Sequence, residues 1–91
     1  MAYIHVRQTV KDYETWKAGF DAASPARQAA GANDETYIMR NDDEPNEIVV
    51  ILGWSDLTKA RQYTASPQLK EAMQKAGVIG RPEVLFLNPA S

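Results

Sequence analysis

The chain opens with a segment in which apolar and polar positions alternate. Residues 3 to 10 repeat with a period of two, which is typical of a β-strand. One face of this predicted strand carries Ile4, Val6 and Val10, together with the polar Gln8. The other face carries Tyr3, His5, Arg7 and Thr9.

The next segment changes to helical spacing. Its apolar positions recur every three or four residues, at Tyr13, Trp16, Phe20 and Ala23. Asp12 is a suitable N-cap for this helix. Ser24-Pro25 interrupts the pattern, so we expect a kink or a short second helix over Pro25 to Ala30, ended by Gly31 as a left-handed cap.

Two further predicted strands are joined by a polar turn. Thr36 to Arg40 forms the second strand, and residues 41 to 46 form the turn. Ile48 to Leu52 is a continuous apolar run that ends at Gly53-Trp54. A strand without polar alternation is typically buried on both faces, and the short turn favours a hairpin.

The second half of the chain repeats the pattern of the first. Asp56 caps a helix, Ser66-Pro67 interrupts it, and Gly77 ends it. The apolar positions of this helix are Leu57, Ala60, Tyr63 or Thr64, Leu69, Ala72, Met73 and Ala76. Val84 to Leu87 is a final apolar strand, followed by a tail at residues 88 to 91.

The order β-α-β-β-α-β predicts one α+β domain over residues 1 to 91. Two such halves make a ferredoxin-like, four-stranded antiparallel sheet with the helices on one face. Val49 and Ile51 point away from the helices, so the second face is apolar too. Because monomers rarely expose more than a few hundred Å² of contiguous apolar surface, we expect a homodimer through that face. Pairing with a different protein is the alternative.

Composition narrows the classes of function. The 91 residues carry no cysteine, one histidine and a net charge of −2. Disulfides and cysteine-based metal sites are therefore excluded, and a nucleic-acid partner is not expected. No apolar stretch approaches a membrane span, and the first residues lack the pattern of a signal peptide. We expect a cytoplasmic protein with no membrane partner.

Aromatic residues suggest a pocket between helices and sheet. Trp54 shares the parity of Val50 and Leu52, so it faces the helices. The candidate substrate-binding residues are Gln8, Trp16, Phe20, Trp54 and Tyr63. A buried amide among aromatics is a common form of small-molecule site, whereas a purely structural core is the alternative.

Other polar residues point to no catalytic centre. His5 is alone, so it makes no multi-histidine metal site, and we expect a structural role on the dimer face. Arg7 is expected to pair with a carboxylate. Asp42-Asp43-Glu44 lacks the periodicity of a calcium loop and is expected at a solvated hairpin tip. We predict neither a cofactor nor a metal, and catalytic residues stay unknown.

Val10 to Trp16 resembles the V-x-D-Y-x-x-W motif of the antibiotic biosynthesis monooxygenase-like, dimeric α+β barrel superfamily. The resemblance spans nearly the whole chain. It continues through Arg27 with Ala30-Gly31, Asp43 to Glu47, Trp54-Ser55-Asp56, Ser66 to Leu69, and Ala76-Gly77-Val78. It implies a dimer with a pocket between helices and sheet in each subunit.

Characterised relatives include cofactor-free oxygenases of quinol-type aromatics, haem-degrading oxygenases, and isomerases or cyclases. Trp54 matches the pocket tryptophan of the oxygenases. Val50 stands where quinol oxygenases carry asparagine, Gln8 stands where close relatives often carry histidine, and no histidine stands near Tyr63 where haem-degrading enzymes need one. The resemblance implies a cofactor-free monooxygenase-like or cyclase-like enzyme on a small aromatic compound. A non-catalytic ligand-binding or accessory dimer is the alternative.

Overall fold

The computed structural model describes residues 2–90. Its elements are β1 (Ala2–Val10), α1 (Tyr13–Ala22), α2 (Ser24–Ala30), β2 (Ala32–Arg40), β3 (Glu47–Trp54), α3 (Leu57–Thr64), α4 (Pro67–Lys75) and β4 (Val78–Leu87). The four strands pair in the order β2-β3-β1-β4, and every pairing is antiparallel. The predicted ferredoxin-like α+β architecture is confirmed, and each predicted interruption divides a helix into two.

Helix boundaries follow the local capping chemistry. The Asp12 carboxylate accepts a hydrogen bond from the Thr15 amide at 2.9 Å, and Asp56 does the same for Lys59 at 2.7 Å. Gly31 and Gly77 adopt φ values of 120° and 85°, which only glycine takes easily. The predicted starts and ends of both helical segments are thereby confirmed.

The sheet has a covered face, packed against the four helices, and an outer face over which residues 2–90 place no second layer. The largest fully buried side chains all lie on the covered face: Ile4, Val10, Ile48, Val50 and Trp54. The large exposed apolar side chains are Tyr37, Met39, Ile79, Leu85 and Leu87. The alternation in β1 and β3 therefore separates a core from an exposed apolar surface, as the strand parity predicted.

The edge strands are longer than the sequence pattern predicted. β2 begins at Ala32 instead of Thr36, and β4 begins at Val78 instead of Val84. Each contains a bulge: residues 33–35 lie opposite Gly53, and residues 80–82 lie opposite Gln8. The bulges interrupt the period of two, which is why the pattern missed these strand starts. Pro82, which has no N–H, is tolerated because β4 is an edge strand.

Among residues 2–90, no helix combines the length and apolar character needed to cross a lipid bilayer.

Candidate functional site: a cavity between helices and sheet

A cavity of about 600 Å³ lies between the helices and the covered face of the sheet. Its floor is formed by side chains of the two central strands: Ile4, Val6, Gln8, Val50 and Leu52. The helices and β4 supply its walls, chiefly through Trp16, Phe20, Arg27, Tyr63, Met73 and Val84. The lining of this space is mostly apolar.

One wall of the cavity is a continuous stack of flat groups. The rings of Trp16 and Phe20 lie 5.0 Å apart and are inclined by 28°. The guanidinium carbon of Arg27 lies 3.7 Å from the centroid of the Phe20 ring. Such a stack positions both aromatic rings and places a positive charge at its end.

Trp54 lies outside the residues that line the cavity. Its side chain is fully buried, its Nε1 donates a hydrogen bond to the Ala30 carbonyl at 3.0 Å, and its ring lies 4.8 Å from the ring of Tyr63. The structure therefore brings Gln8, Trp16, Phe20 and Tyr63 around one space but places Trp54 behind Tyr63. Parity predicted the face of Trp54 correctly, but it carries no information on how far along the sheet the cavity extends.

Gln8 brings a hydrogen-bond acceptor without a protein partner to the cavity. The side chain is 6% exposed, and its Oε1 accepts no hydrogen bond within the described residues. Gln8 also lies opposite the bulge of β4, beside the lining residue Pro82. Because buried polar atoms in proteins are almost always paired, an unpaired amide oxygen at a cavity indicates a place for a donor.

Arg27 is a cavity residue that the sequence interpretation did not select. It is 8% exposed, and its Nη1 donates to the Phe20 carbonyl at 2.8 Å. No carboxylate lies within 4.0 Å of it in residues 2–90. Burial lowers the pKa of Arg27, and the nearby Tyr63 and Asp21 oppose this effect. Its spacing of seven residues from Phe20 continues the helical stripe and could have revealed it.

Tyr63 lies beside Arg27 on the cavity lining. Burial raises the pKa of the Tyr63 phenol, while the charge of Arg27 and hydrogen bonding to it act in the opposite direction. The phenol is therefore protonated at neutral pH and can donate a hydrogen bond. Within the described part of the chain, no Asp, Glu or His lines the cavity. The arrangement can bind a flat apolar compound and orient it through an amide, a phenol and a cation.

The other polar residues considered in the sequence lie outside the cavity, on the outer face of the sheet or in the β2–β3 connection. Arg7 forms an ion pair with Glu47, so its predicted carboxylate partner is confirmed. His5 lies on this face, and its Nδ1 is buried without a hydrogen-bond partner in residues 2–90. Residues 42–45 are exposed at the tip of the β2–β3 connection. Within the same described range, no three His, Asp or Glu side chains are grouped to hold a metal.

No protein-family model matches the sequence, and no curated protein matches it. Solved structures, however, match along almost the entire chain. A protein from Bordetella bronchiseptica, assigned by name to the antibiotic biosynthesis monooxygenases, superposes with a TM-score of 0.79 over 99% of this chain and 97% of its own, at 14% identity. The fold is that of the antibiotic biosynthesis monooxygenases.

Two further structures agree with this assignment of the monooxygenase fold. SnoaB, a cofactor-independent oxygenase from Streptomyces nogalater, matches with a TM-score of 0.76 at 18% identity, over 99% of this chain and 93% of its own. A similarly assigned protein from Caulobacter crescentus matches at 0.74 and 12% identity, over 99% and 90%. The family resemblance seen in the sequence is confirmed at the level of fold.

Proposed function

We propose that the chain binds a small aromatic compound in the cavity and acts on it as a cofactor-free monooxygenase-like or cyclase-like enzyme. The observation that carries the proposal is the cavity of about 600 Å³, with Trp16, Phe20 and Tyr63 on its walls. This volume falls within the range of about 300–1,000 Å³ that is usual for small-molecule pockets. The shared fold with SnoaB, a cofactor-independent oxygenase, supports the class of reaction.

The same proposal includes a homodimer formed through the outer face. Among residues 2–90 of the single chain, five large apolar side chains are exposed, and all five belong to the edge strands. Two copies that packed these faces together would remove most of that surface from water. Each subunit would then keep its own cavity, because the cavity lies on the covered face.

Without a cofactor, the reactivity must come from the bound compound itself. The chain then contributes binding, orientation and exclusion of water. The Trp16–Phe20 wall supplies a surface for an aromatic ring, while Gln8 and Tyr63 supply an acceptor and a donor that fix its orientation. A flat electron-rich compound held in this way is the type of substrate that a cofactor-free oxygenation or cyclisation requires.

A non-catalytic ligand-binding dimer is the second candidate, and one observation favours it. Within residues 2–90, the cavity has no carboxylate or imidazole to remove a proton, and Tyr63 is protonated at neutral pH. Oxygen consumption and product analysis, with a quinol and the pure protein, separate the two candidates. Protein-dependent oxygen uptake or conversion of the quinol to an isomer supports the first, and recovery of the bound quinol unchanged supports the second.

Binding and dimerisation can be tested with one pair of neighbouring residues. Val84 lines the cavity, whereas Leu85 is 47% exposed on the outer face. Val84→Phe is expected to fill the cavity and weaken 2-naphthol binding at least about tenfold while the dimer mass is kept, since core sites with free space accept larger side chains. Leu85→Lys is expected to weaken the dimer while a folded chain still binds the probe.

Calorimetric titration and light scattering measure the two outcomes. Loss of binding in Leu85→Lys but not in Val84→Phe would place the ligand on the outer face and contradict the proposal. A wild-type protein that stays monomeric at all concentrations would remove the dimer from it.

A further inference from the structure

We infer that the ligand of this cavity is an elongated aromatic anion. Its anionic oxygen, from a carboxylate or an ionised hydroxyl group, binds the guanidinium of Arg27, and a hydroxyl group at its other end donates a hydrogen bond to Gln8. The inference rests on the proposed function, because it names the class of compound that the cavity takes.

The first reason is the unpaired charge of Arg27. A guanidinium has five N–H donors; one bonds to the Phe20 carbonyl, and the group also interacts with the Tyr63 phenol, but neither partner carries a negative charge at neutral pH. Asp21 is close enough to affect the pKa of Arg27, but both of its carboxylate oxygens lie 2.7 Å from Lys17 Nζ. A buried cation without a bonded anion is costly, so the remaining donors favour a negatively charged group in the cavity.

The second reason is the unpaired acceptor of Gln8. Its Oε1 has no hydrogen-bond partner within the described residues, although the side chain is more than nine-tenths buried. The neutral amide oxygen of Gln8 can only accept hydrogen bonds, and it repels the anionic end of a ligand. The ligand group that pairs with it must therefore be a donor. A ligand hydroxyl is the simplest group that meets this requirement.

The third reason is the position of the two polar groups along the cavity. The aromatic wall proceeds from Trp16 through Phe20 to Arg27. Arg27 lies close to Tyr63, whose ring packs on Trp54, the strand partner of Ala2. Gln8 lies six residues further along β1, beyond Ile4 and Val6 on the floor of the same cavity. The cation and the amide therefore lie toward different ends of the cavity.

The wild-type protein provides a direct test with three probes in calorimetric titrations. 6-Hydroxy-2-naphthoate carries a carboxylate and a hydroxyl at opposite ends. We expect it to bind about ten to a hundred times more tightly than 6-hydroxy-2-naphthamide, and about three to ten times more tightly than 2-naphthoate, as expected for a charged and a neutral hydrogen bond. Equal affinity of the acid and the amide would overturn the inference and leave the proposed function intact. Failure of all three to bind would overturn both.

Variants assign each preference to its residue. Arg27→Gln is expected to abolish the preference for acid over amide, and Gln8→Leu the preference for the hydroxyl compound. Arg27→Lys keeps a charge and should retain part of the first preference, even if Arg27→Gln does not fold. Lys59→Gln, which removes an exposed charge on α3, should change neither. A charge preference that survives in a folded Arg27→Gln protein would contradict the assignment.

A pH series with 2,6-dihydroxynaphthalene distinguishes the two sources of the anion. Affinity that increases as the probe ionises indicates that Arg27 accepts an ionised hydroxyl as well as a carboxylate. Affinity that stays constant while the carboxylate probe binds identifies the carboxylate as the recognised group.

Discussion

Val84 and Leu85 are adjacent in β4, yet one lines a cavity and the other is largely exposed. The two faces also meet in β1, where Gln8 Oε1 and His5 Nδ1 are buried without a hydrogen-bond partner in residues 2–90, on opposite faces of the sheet. The covered face has four helices above it and encloses a space of molecular size. Within residues 2–90, no layer lies above the outer face. The two faces therefore differ in what they leave open, and the proposals above assign a small ligand to one and a second copy to the other.

The two faces also differ in how they use the end of β3. Gly53 and Trp54 are consecutive residues that point to opposite faces of the sheet. Substituting each in turn therefore tests how packing on one face contributes to stability. On the covered face, Trp54 fills volume between both helical pairs. On the outer face, Gly53 has no side chain, and this leaves room for Asn33 in the bulge of β2.

Trp54→Ala is expected to have the largest effect. Removal of a fully buried tryptophan leaves a large void and deprives the Ala30 carbonyl of its indole donor. The free energy of unfolding should fall by about 3–5 kcal/mol, a large fraction of the stability of a small domain. Urea denaturation measures the change, and Trp54→Phe should cost less because an aromatic ring still packs against Tyr63. A fully stable Trp54→Ala protein that fails to bind ligand would instead make Trp54 a contact residue.

Gly53→Ala is expected to have an intermediate effect. A Cβ at this position would lie 2.2 Å from Asn33 Oδ1, and Oδ1 already accepts a hydrogen bond from the Glu35 amide at 2.8 Å. The free energy of unfolding should fall by about 1–3 kcal/mol, as for other overpacked sites. Asn33→Ala combined with Gly53→Ala should cost less than the sum of the two single changes, because the clash is absent. Additive costs in denaturation experiments would show that the contact is not the cause.

Arg7→Gln should have the smallest effect, and one that depends on pH. The hydrogen bond and charge of Arg7 lower the pKa of Glu47 below its usual value. A lowered pKa in the folded state stabilises the protein above the unfolded-state pKa, and this contribution is lost as the pH falls through the folded-state pKa. The wild-type protein should therefore be more stable than Arg7→Gln at pH 7, and the difference should vanish in acid. Denaturant midpoints of both proteins, measured from pH 7 into acid, give this difference in stability. A difference that does not change with pH would exclude the Arg7–Glu47 ion pair as its cause.

Most of the architecture followed from local signals in the sequence. Capping residues such as Asp12 and Gly31 act within one turn of the chain, and the period of two in β1 reports directly which face is buried. Bulges are different, because they depend on the register of a partner strand. The glycine and proline of the Gly80–Pro82 segment predict a loop outside any strand. In the structure, the segment is part of the edge strand β4.

The candidate site was predictable in kind but not in detail. Helical spacing brought Trp16, Phe20 and Tyr63 toward the sheet, and the structure places them around the cavity. Arg27 was missed as a site residue because an arginine in a short helix ordinarily points to solvent. The position of Trp54 behind the cavity depends on where α2 ends above the sheet, which no local pattern reports.

The contacts at the end of β3 have a consequence for how the chain unfolds. The Ser55 amide donates to the Gly31 carbonyl at 2.9 Å, next to the bond between Trp54 and Ala30, so the α2–β2 junction of the first half is fastened to the β3–α3 junction of the second. Neither half can open here without exposing the indole of Trp54 and freeing two carbonyl groups. The halves look like a duplicated unit, but this junction joins them, so we expect the two halves to open together at this point.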